Sequence, residues 1–133
     1  MFLFDTDIIS NLICSSPSAA LIRRIAATPP EQQFTTSVTA GELACGAYRS
    51  GRAEYFLAKV NEQVLAGVTV LSFDQEAAEI YGKIRAELER AGTPLPEPDL
   101  RIAAIALARS LTVITGDVRH FTRVPGLRVE NWL

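Results

Sequence analysis

Acidic residues recur in this chain where a strand should end and a helix begin. Asp5 follows the apolar run Phe2-Leu3-Phe4, and Glu42 lies in the helix after Phe34-Thr35-Thr36-Ser37. Asp99 opens an Ala/Ile-rich helix behind Pro98, and Asp117 follows Leu111-Thr112-Val113-Ile114-Thr115. Placed on one rim of one sheet, these four make an acidic cluster. Two carboxylates about 4 Å apart repel by roughly 4 kcal/mol at an effective dielectric near 20. Three or four together therefore need a cation or bound protons. An all-oxygen donor set suits Mg²⁺, or Mn²⁺, rather than zinc. Such an ion activates water and shields phosphate oxygens during in-line attack on a phosphodiester.

Each acid also has a purely structural explanation. Asp5 or Asp7 suits a helix cap. Thr39-Ala40-Gly41-Glu42 fits a capping box in which Glu42 reaches back to the Thr39 amide. Asp99 sits where a helix dipole favours an anion by roughly 0.3–1 kcal/mol. Asp117 suits a turn after Gly116. Asp74 is the internal control, since it too follows a strand and opens a helix, and there the cap reading suffices.

The elements that must position these acids follow from periodicity. Strands are expected at residues 1–4, 34–37, 68–73 and 111–115, with a last edge strand at 128–130. A helix covers 6–14, and a second carries Leu21, Ile22 and Ile25 before Pro29-Pro30 stops it. Residues 39–48 and 53–66 form a helical hairpin broken at Arg49-Ser50-Gly51-Arg52. Asp74 opens an amphipathic helix whose stripe is Ala77, Ile80, Tyr81, Ile84 and Leu88, closed by Gly92. A stiff loop, Thr93 to Pro98, precedes a buried helix at 99–109. Alternating strands and helices imply an α/β domain with a mainly parallel sheet of four to five strands. Ligands of such sheets bind outside the carboxyl ends of the strands, where the acids fall.

At 133 residues the chain is expected to be one domain, residues 1–133, large enough to bury a core without staples. No apolar run approaches a membrane span, and Met1-Phe2-Leu3-Phe4-Asp5 lacks the basic n-region of a signal peptide. Cys14 and Cys45 have neither Cys-x-x-Cys spacing nor enough histidines for zinc, and read as reduced thiols of a cytoplasmic protein. Net charge is −2, which argues against a simple nucleic-acid coat. Yet eleven of the thirteen basic residues are Arg, suited to bidentate phosphate contacts. Arg101, Arg109, Arg119, Arg123 and Arg128, with His120, offer a basic patch late in the chain.

The motifs resemble a known family. Phe4-Asp5-Thr6-Asp7-Ile8-Ile9-Ser10 resembles the opening of PIN-domain nucleases of the VapC toxin type. Ser37 to Gly46 is similar to their second acidic motif, Glu-Leu-x-x-Gly, and Asp99-Leu100-Arg101-Ile102-Ala103-Ala104 to the third. Thr115-Gly116-Asp117-Val118-Arg119-His120-Phe121 with Val124-Pro125-Gly126-Leu127 resembles the final segment. The resemblance runs in order over the whole chain. It implies a three-layer α/β/α domain and a Mg²⁺-dependent ribonuclease, the toxin of a toxin–antitoxin pair. Cleavage by metal-assisted hydrolysis would leave 5′-phosphate and 3′-hydroxyl ends. By position, Asp5, Glu42, Asp99 and Asp117 carry over as catalytic and metal-binding acids, Asp5 and Asp99 foremost. Thr6 and Thr115 carry over as polar support. Homodimers, or hetero-oligomers with a small antitoxin whose tail folds onto the toxin, are implied as well, with the hairpin of residues 39–66 part of that clamp. The family often has Asn at position 117 and an acid at position 120, so His120, with Arg119, is a candidate phosphate contact here. It often has Gly before Pro98, where this chain has Glu97, expected to face solvent.

Two rivals remain open at this point. A PIN-like module that grips RNA or an antitoxin without cutting would share these motifs. Asp5-Thr6-Asp7 beside Gly116-Asp117 also suits a haloacid-dehalogenase-type phosphatase with Asp5 as nucleophile. That chemistry wants a lysine at the phosphate, and only Lys59 and Lys83 exist, both on helices read as surface.

Overall fold

A computed structural model describes all 133 residues. Five strands, β1 (Phe2–Phe4), β2 (Gln33–Thr36), β3 (Thr69–Leu71), β4 (Thr112–Ile114) and β5 (Val129–Glu130), form one sheet in the order β3-β2-β1-β4-β5. Every neighbouring pair is parallel, with Leu3 opposite Phe34 on one side and Val113 on the other. The chain runs outward from β1 through β2 to β3, then crosses back to β4. The reversal falls between β1 and β4, the place where open α/β sheets open a crevice.

Seven helices cover the faces: α1 (Thr6–Ile13), α2 (Ala19–Ala26), α3 (Ser37–Arg49), α4 (Ala53–Gln63), α5 (Gln75–Arg90), α6 (Glu97–Ala108) and α7 (Val118–Phe121). Alternation along the strands divides the core in two. Leu3 and Val113 face α5 and α6, where Ala77, Ile84, Leu88 and Ile102 pack. Phe4 and Ile114 face the opposite way, onto Ile8, Leu21, Leu43 and Val60 of α1 to α4. The expected three-layer α/β/α domain is therefore present, and α3 and α4 form the expected hairpin. The edge strand at 128–130 and the cap reading of Asp74, whose carboxylate accepts from Ala77 N at 2.9 Å, both hold.

Strand β3 is shorter than the expected 68–73 and α4 ends at Gln63 rather than 66, and three further boundaries that differ from the periodicity reading bear on the site. First, α3 starts at Ser37, not Thr39, because Thr36 is its cap: Thr39 N donates to Thr36 Oγ1 at 3.0 Å. The capping box on Glu42 is thus absent, and Glu42 stands more than a turn inside the helix with its carboxylate free for other work. Second, α6 begins at Glu97. Pro98 sits in its first turn, where the missing N–H costs nothing. Third, the four-residue α7 follows Asp117 where only a turn was expected.

Candidate active site

The site is assembled at the reversal between β1 and β4. Asp5 N donates to the Ile114 carbonyl at 3.0 Å, which clamps the end of β1 against β4. Asp5 is then 6% exposed, and its carboxylate accepts from Thr6 N at 2.8 Å and from Thr115 Oγ1 at 2.8 Å. Thr115 is fully buried and also accepts from Asp117 N at 2.9 Å, so one hydroxyl fixes two of the four acids. Glu42 reaches the same rim from α3, accepting from Thr6 Oγ1 at 2.6 Å. Thr6 thus bonds Glu42, and Thr115 bonds Asp5 and the backbone of Asp117. Asp99, in the first turn of α6, caps nothing: that helix has no side-chain cap, and the only partner of the Asp99 carboxylate is His120 Nδ1 at 3.0 Å. The same nitrogen lies 2.7 Å from Asp117 Oδ2.

Electrostatics link the four acids. Burial pushes the Asp5 carboxyl up to about 7, with neighbouring Asp7 and, more weakly, Asp99 adding to it. The hydrogen bonds from Thr115 and Thr6 oppose the rise. Asp99 is likewise raised by burial, opposed by His120 and reinforced by the charges of Asp117 and Glu42. Asp74, the control, moves the other way. The Ala77 amide, with Arg109, holds it below the usual carboxylate range. Asp74, a cap on the exposed surface, is comfortable as an anion, whereas Asp5, which does cap α1 but is buried, and Asp99, which caps nothing, are held against their own charge. Raised, converging carboxylates fit a hard divalent cation, which would neutralise them with oxygen donors. Asp99, Asp117 and His120 alone bring three donor atoms within 4.8 Å of one another.

The cap of α1 is Asp5, not Asp7. The Asp7 carboxylate accepts from Gly116 N at 2.8 Å and lies 3.5 Å from Thr115 Oγ1, a second brace between α1 and the end of β4. A Cβ on Gly116 would stand 2.8 Å from Asp7 Oδ2 and 2.9 Å from Leu133 Cδ1. Both are ends of flexible side chains, so Gly116→Ala is expected to cost only about 1 kcal/mol of stability. It should still weaken divalent-cation binding at the acids about tenfold, because the brace on Thr115 is displaced. Thermal denaturation beside a Mn²⁺ titration checks both halves. The signal in the sequence was the glycine itself, directly before Asp117.

His120 bridges Asp99 and Asp117, while Arg119 is exposed and makes no ion pair. The expected basic patch is dispersed. Arg109 pairs with Asp74, Arg101 with Glu97, and Arg123 and Arg128 reach backbone carbonyls. Glu97 is not a fifth acid of the site. It joins Tyr81, Arg85 and Arg101 on the α5–α6 face, a half-exposed network rather than the free solvent position expected for it.

The PIN-domain family model matches residues 2–127. The chain belongs to the PIN-domain family. Within it the VapC group is the near kin. The tRNA(fMet)-specific endonuclease VapC of Shigella flexneri is 37% identical over 131 residues, 98% of this chain and 97% of that one. The Salmonella typhimurium protein of the same name is 44% identical over 97 residues, 73% of each chain. A crystal structure of DNA-bound VapBC from Salmonella typhimurium superposes with a TM-score of 0.91 at 37% identity, covering 99% of this chain and 98% of that one. The PIN fold and the VapC-type acidic motifs thus sit on one chain. Membership also removes the dehalogenase-type phosphatase; of its two candidate lysines Lys83 is exposed on α5, as expected, and Lys59 is half-buried on α4.

Proposed function

We propose that this VapC-type PIN domain is a Mg²⁺-dependent endoribonuclease, the toxin of a toxin–antitoxin pair, acting in the cytoplasm on RNA. The observation that carries the reading is the convergence of Asp5, Glu42, Asp99 and Asp117 on one rim, with Asp5 and Asp99 held against ionisation. The names of the relatives, ribonucleases and endonucleases, support the enzyme class. Asp5 and Asp99, with Glu42 and Asp117, would hold Mg²⁺ or Mn²⁺. When bound, the ion supplies Lewis-acid chemistry at the scissile phosphate and lowers the pKa of water.

The chain's own groups do the rest. Glu42, oriented by Thr6, aligns the attacking water or completes the metal shell. Thr115 holds Asp5 and the Asp117 backbone in register. Arg119 and His120 face the entering RNA backbone as cationic or hydrogen-bonding contacts. In-line attack on phosphorus then leaves a 5′-phosphate and a 3′-hydroxyl. VapBC and related toxin–antitoxin complexes among the structural neighbours support a small antitoxin partner, in a homodimeric or hetero-oligomeric assembly. An antitoxin tail lying over the rim and the α3–α4 hairpin would block the site. No helix is long and apolar enough to cross a membrane.

RNA cleavage by the partner-free protein with Mg²⁺, with EDTA, and with Asp99→Asn in Mg²⁺ is the test. Cleavage in the wild-type Mg²⁺ reaction alone is expected. A folded protein that binds RNA but cuts none with Mg²⁺ or Mn²⁺ would turn the reading to a non-cleaving binding module.

A further inference from the structure

The hairpin of α3 and α4 carries a surface that the acidic site does not use. Its turn is made at Gly51, whose φ of +76° favours glycine, and exposed side chains crowd around it. Tyr48 is 69% and Tyr55 50% exposed, whereas Phe4, Phe121 and Trp132 are buried. Three cations lie among them, Arg49, Arg52 and Lys59, against the single carboxylate Glu54. None of the three makes an ion pair, although Arg24, Arg85, Arg101 and Arg109 all do. Arg52 instead lies 4.3 Å from the centroid of the Tyr55 ring and 5.7 Å from that of Phe56, and Lys59 Nζ is 5.9 Å from Tyr55. In a chain of net charge −2 this is a local excess of unneutralised positive charge beside exposed rings, one face of Tyr55 lying under Arg52 and the rest of it half-exposed.

The tip is also connected to the acids. A groove of about 280 Å³ between α1, α3 and α4 begins at Thr6 and Glu42 and runs past Gly46 to Ser50 and Phe56 at the hairpin turn. At 1.5 Å rise per residue, Tyr48 stands about 9 Å along α3 from Glu42. A polyanion approaching four carboxylates is repelled by them, and of the late arginines Arg101 and Arg109 are ion-paired while Arg123 and Arg128 reach backbone carbonyls, which leaves Arg119 alone beside the acids. A second cationic hold from another part of the surface complements it.

We propose that the hairpin tip is a single-stranded RNA platform: Tyr48 and Tyr55 stack bases flanking the cleaved bond, and Arg49, Arg52 and Lys59 hold the phosphates. This rests on the ribonuclease reading above and names where its substrate lies. Unpaired cations among exposed rings are the combination that single strands use, phosphates on the charges and bases on the π-faces. A protein partner anchored by the same tyrosines needs no such excess of unpaired charge.

The test uses the full chain carrying Asp99→Asn, in EDTA, so that RNA binds without being cut. The probes are a short unstructured RNA and an RNA hairpin loop, each bearing a fluorescent adenine analogue. Tyr48→Ala and Tyr55→Ala are each expected to weaken binding about tenfold and to lose the stacking quench of the analogue. The Phe variants should restore both. Arg52→Gln should reduce the slope of log affinity against log salt by about one. These side chains are exposed, so circular dichroism should be unchanged. Binding by the parent with Ala variants within twofold of it, and the quench intact, would overturn the platform while leaving the ribonuclease reading in place. If those variants bind RNA within twofold of the parent and instead escape neutralisation by the cognate antitoxin, the tip is a protein interface and the proposal fails. A parent that binds neither RNA would overturn the platform, since its cations and rings are intact without metal, while the cleavage test with Mg²⁺ decides the ribonuclease reading separately.

Discussion

Asp99→Asn is expected to reduce RNA cleavage by roughly 10²–10⁴-fold, the several kcal/mol that a lost metal ligand removes from the transition state, without loss of the fold. The two halves separate a catalytic acid from a capping acid. A cap replaced by a poorer one costs about 1 kcal/mol of stability. Asp99 makes no cap contact, is raised by burial, and feels the like charges of Asp117 and Glu42. Asparagine keeps its shape and removes the charge that the site resists. Its carbonyl oxygen still accepts from His120, which also keeps Asp117. The melting temperature should therefore be equal to or above that of wild type in EDTA. A clear fall in melting temperature alongside lost activity would reassign Asp99 to a structural role.

The second large effect is on stability against pH. The Asp5 carboxyl is pushed from 3.8 to about 7 by burial and by Asp7, so the folded state holds a proton that the unfolded chain has lost. Stability from this group is complete below about pH 4 and is lost as pH rises through 7. The metal-free protein should lose about 2–4 kcal/mol between pH 5 and pH 8 from this source. Asp5→Asn should flatten that slope, since its carboxamide oxygen accepts from Thr6 N and its amide donates to Thr115 Oγ1, which then turns its proton toward Asp7. Asp74 has the opposite sign, its contribution fading in acid, but it is common to both proteins and cancels in the comparison. Denaturant titrations of wild type and Asp5→Asn across that range, in EDTA, check it. Parallel curves would show that Asp5 ionises freely in the folded state. With Mg²⁺ present the wild-type slope should diminish, because cation and proton compete for one carboxylate.

Much of this molecule is legible in its sequence. Period-two and period-3.6 patterns located the strands and the main helices, since burial against a common sheet imposes those periods locally. Asp5, Asp99 and Asp117 were legible because each ends a strand or opens a helix on one rim of a parallel sheet, and Glu42 because its helix starts from that rim, although it stands more than a turn inside it. The errors lie where a local rule had two solutions. Thr36 and Thr39 are both good caps for α3, and the end of β2 chose Thr36, which freed Glu42. Pro98 read as a loop, yet a proline fits the first turn of a helix equally well.

What lay beyond the sequence is pairing across long separations. Its own residue types determined an α/β chain with acids at strand ends, capped and broken by short-range chemistry. Only the tertiary structure decided that Thr115 would bond Asp5 from 110 residues away, that Gly116 would brace Asp7, and that His120 would bridge Asp99 and Asp117. It also decided which arginines are neutralised and which stay free at the hairpin tip. Local periodicity records which face of an element is buried. It does not record which strands become neighbours, and the order β3-β2-β1-β4-β5 is what brings the ends of β1 and β4 together.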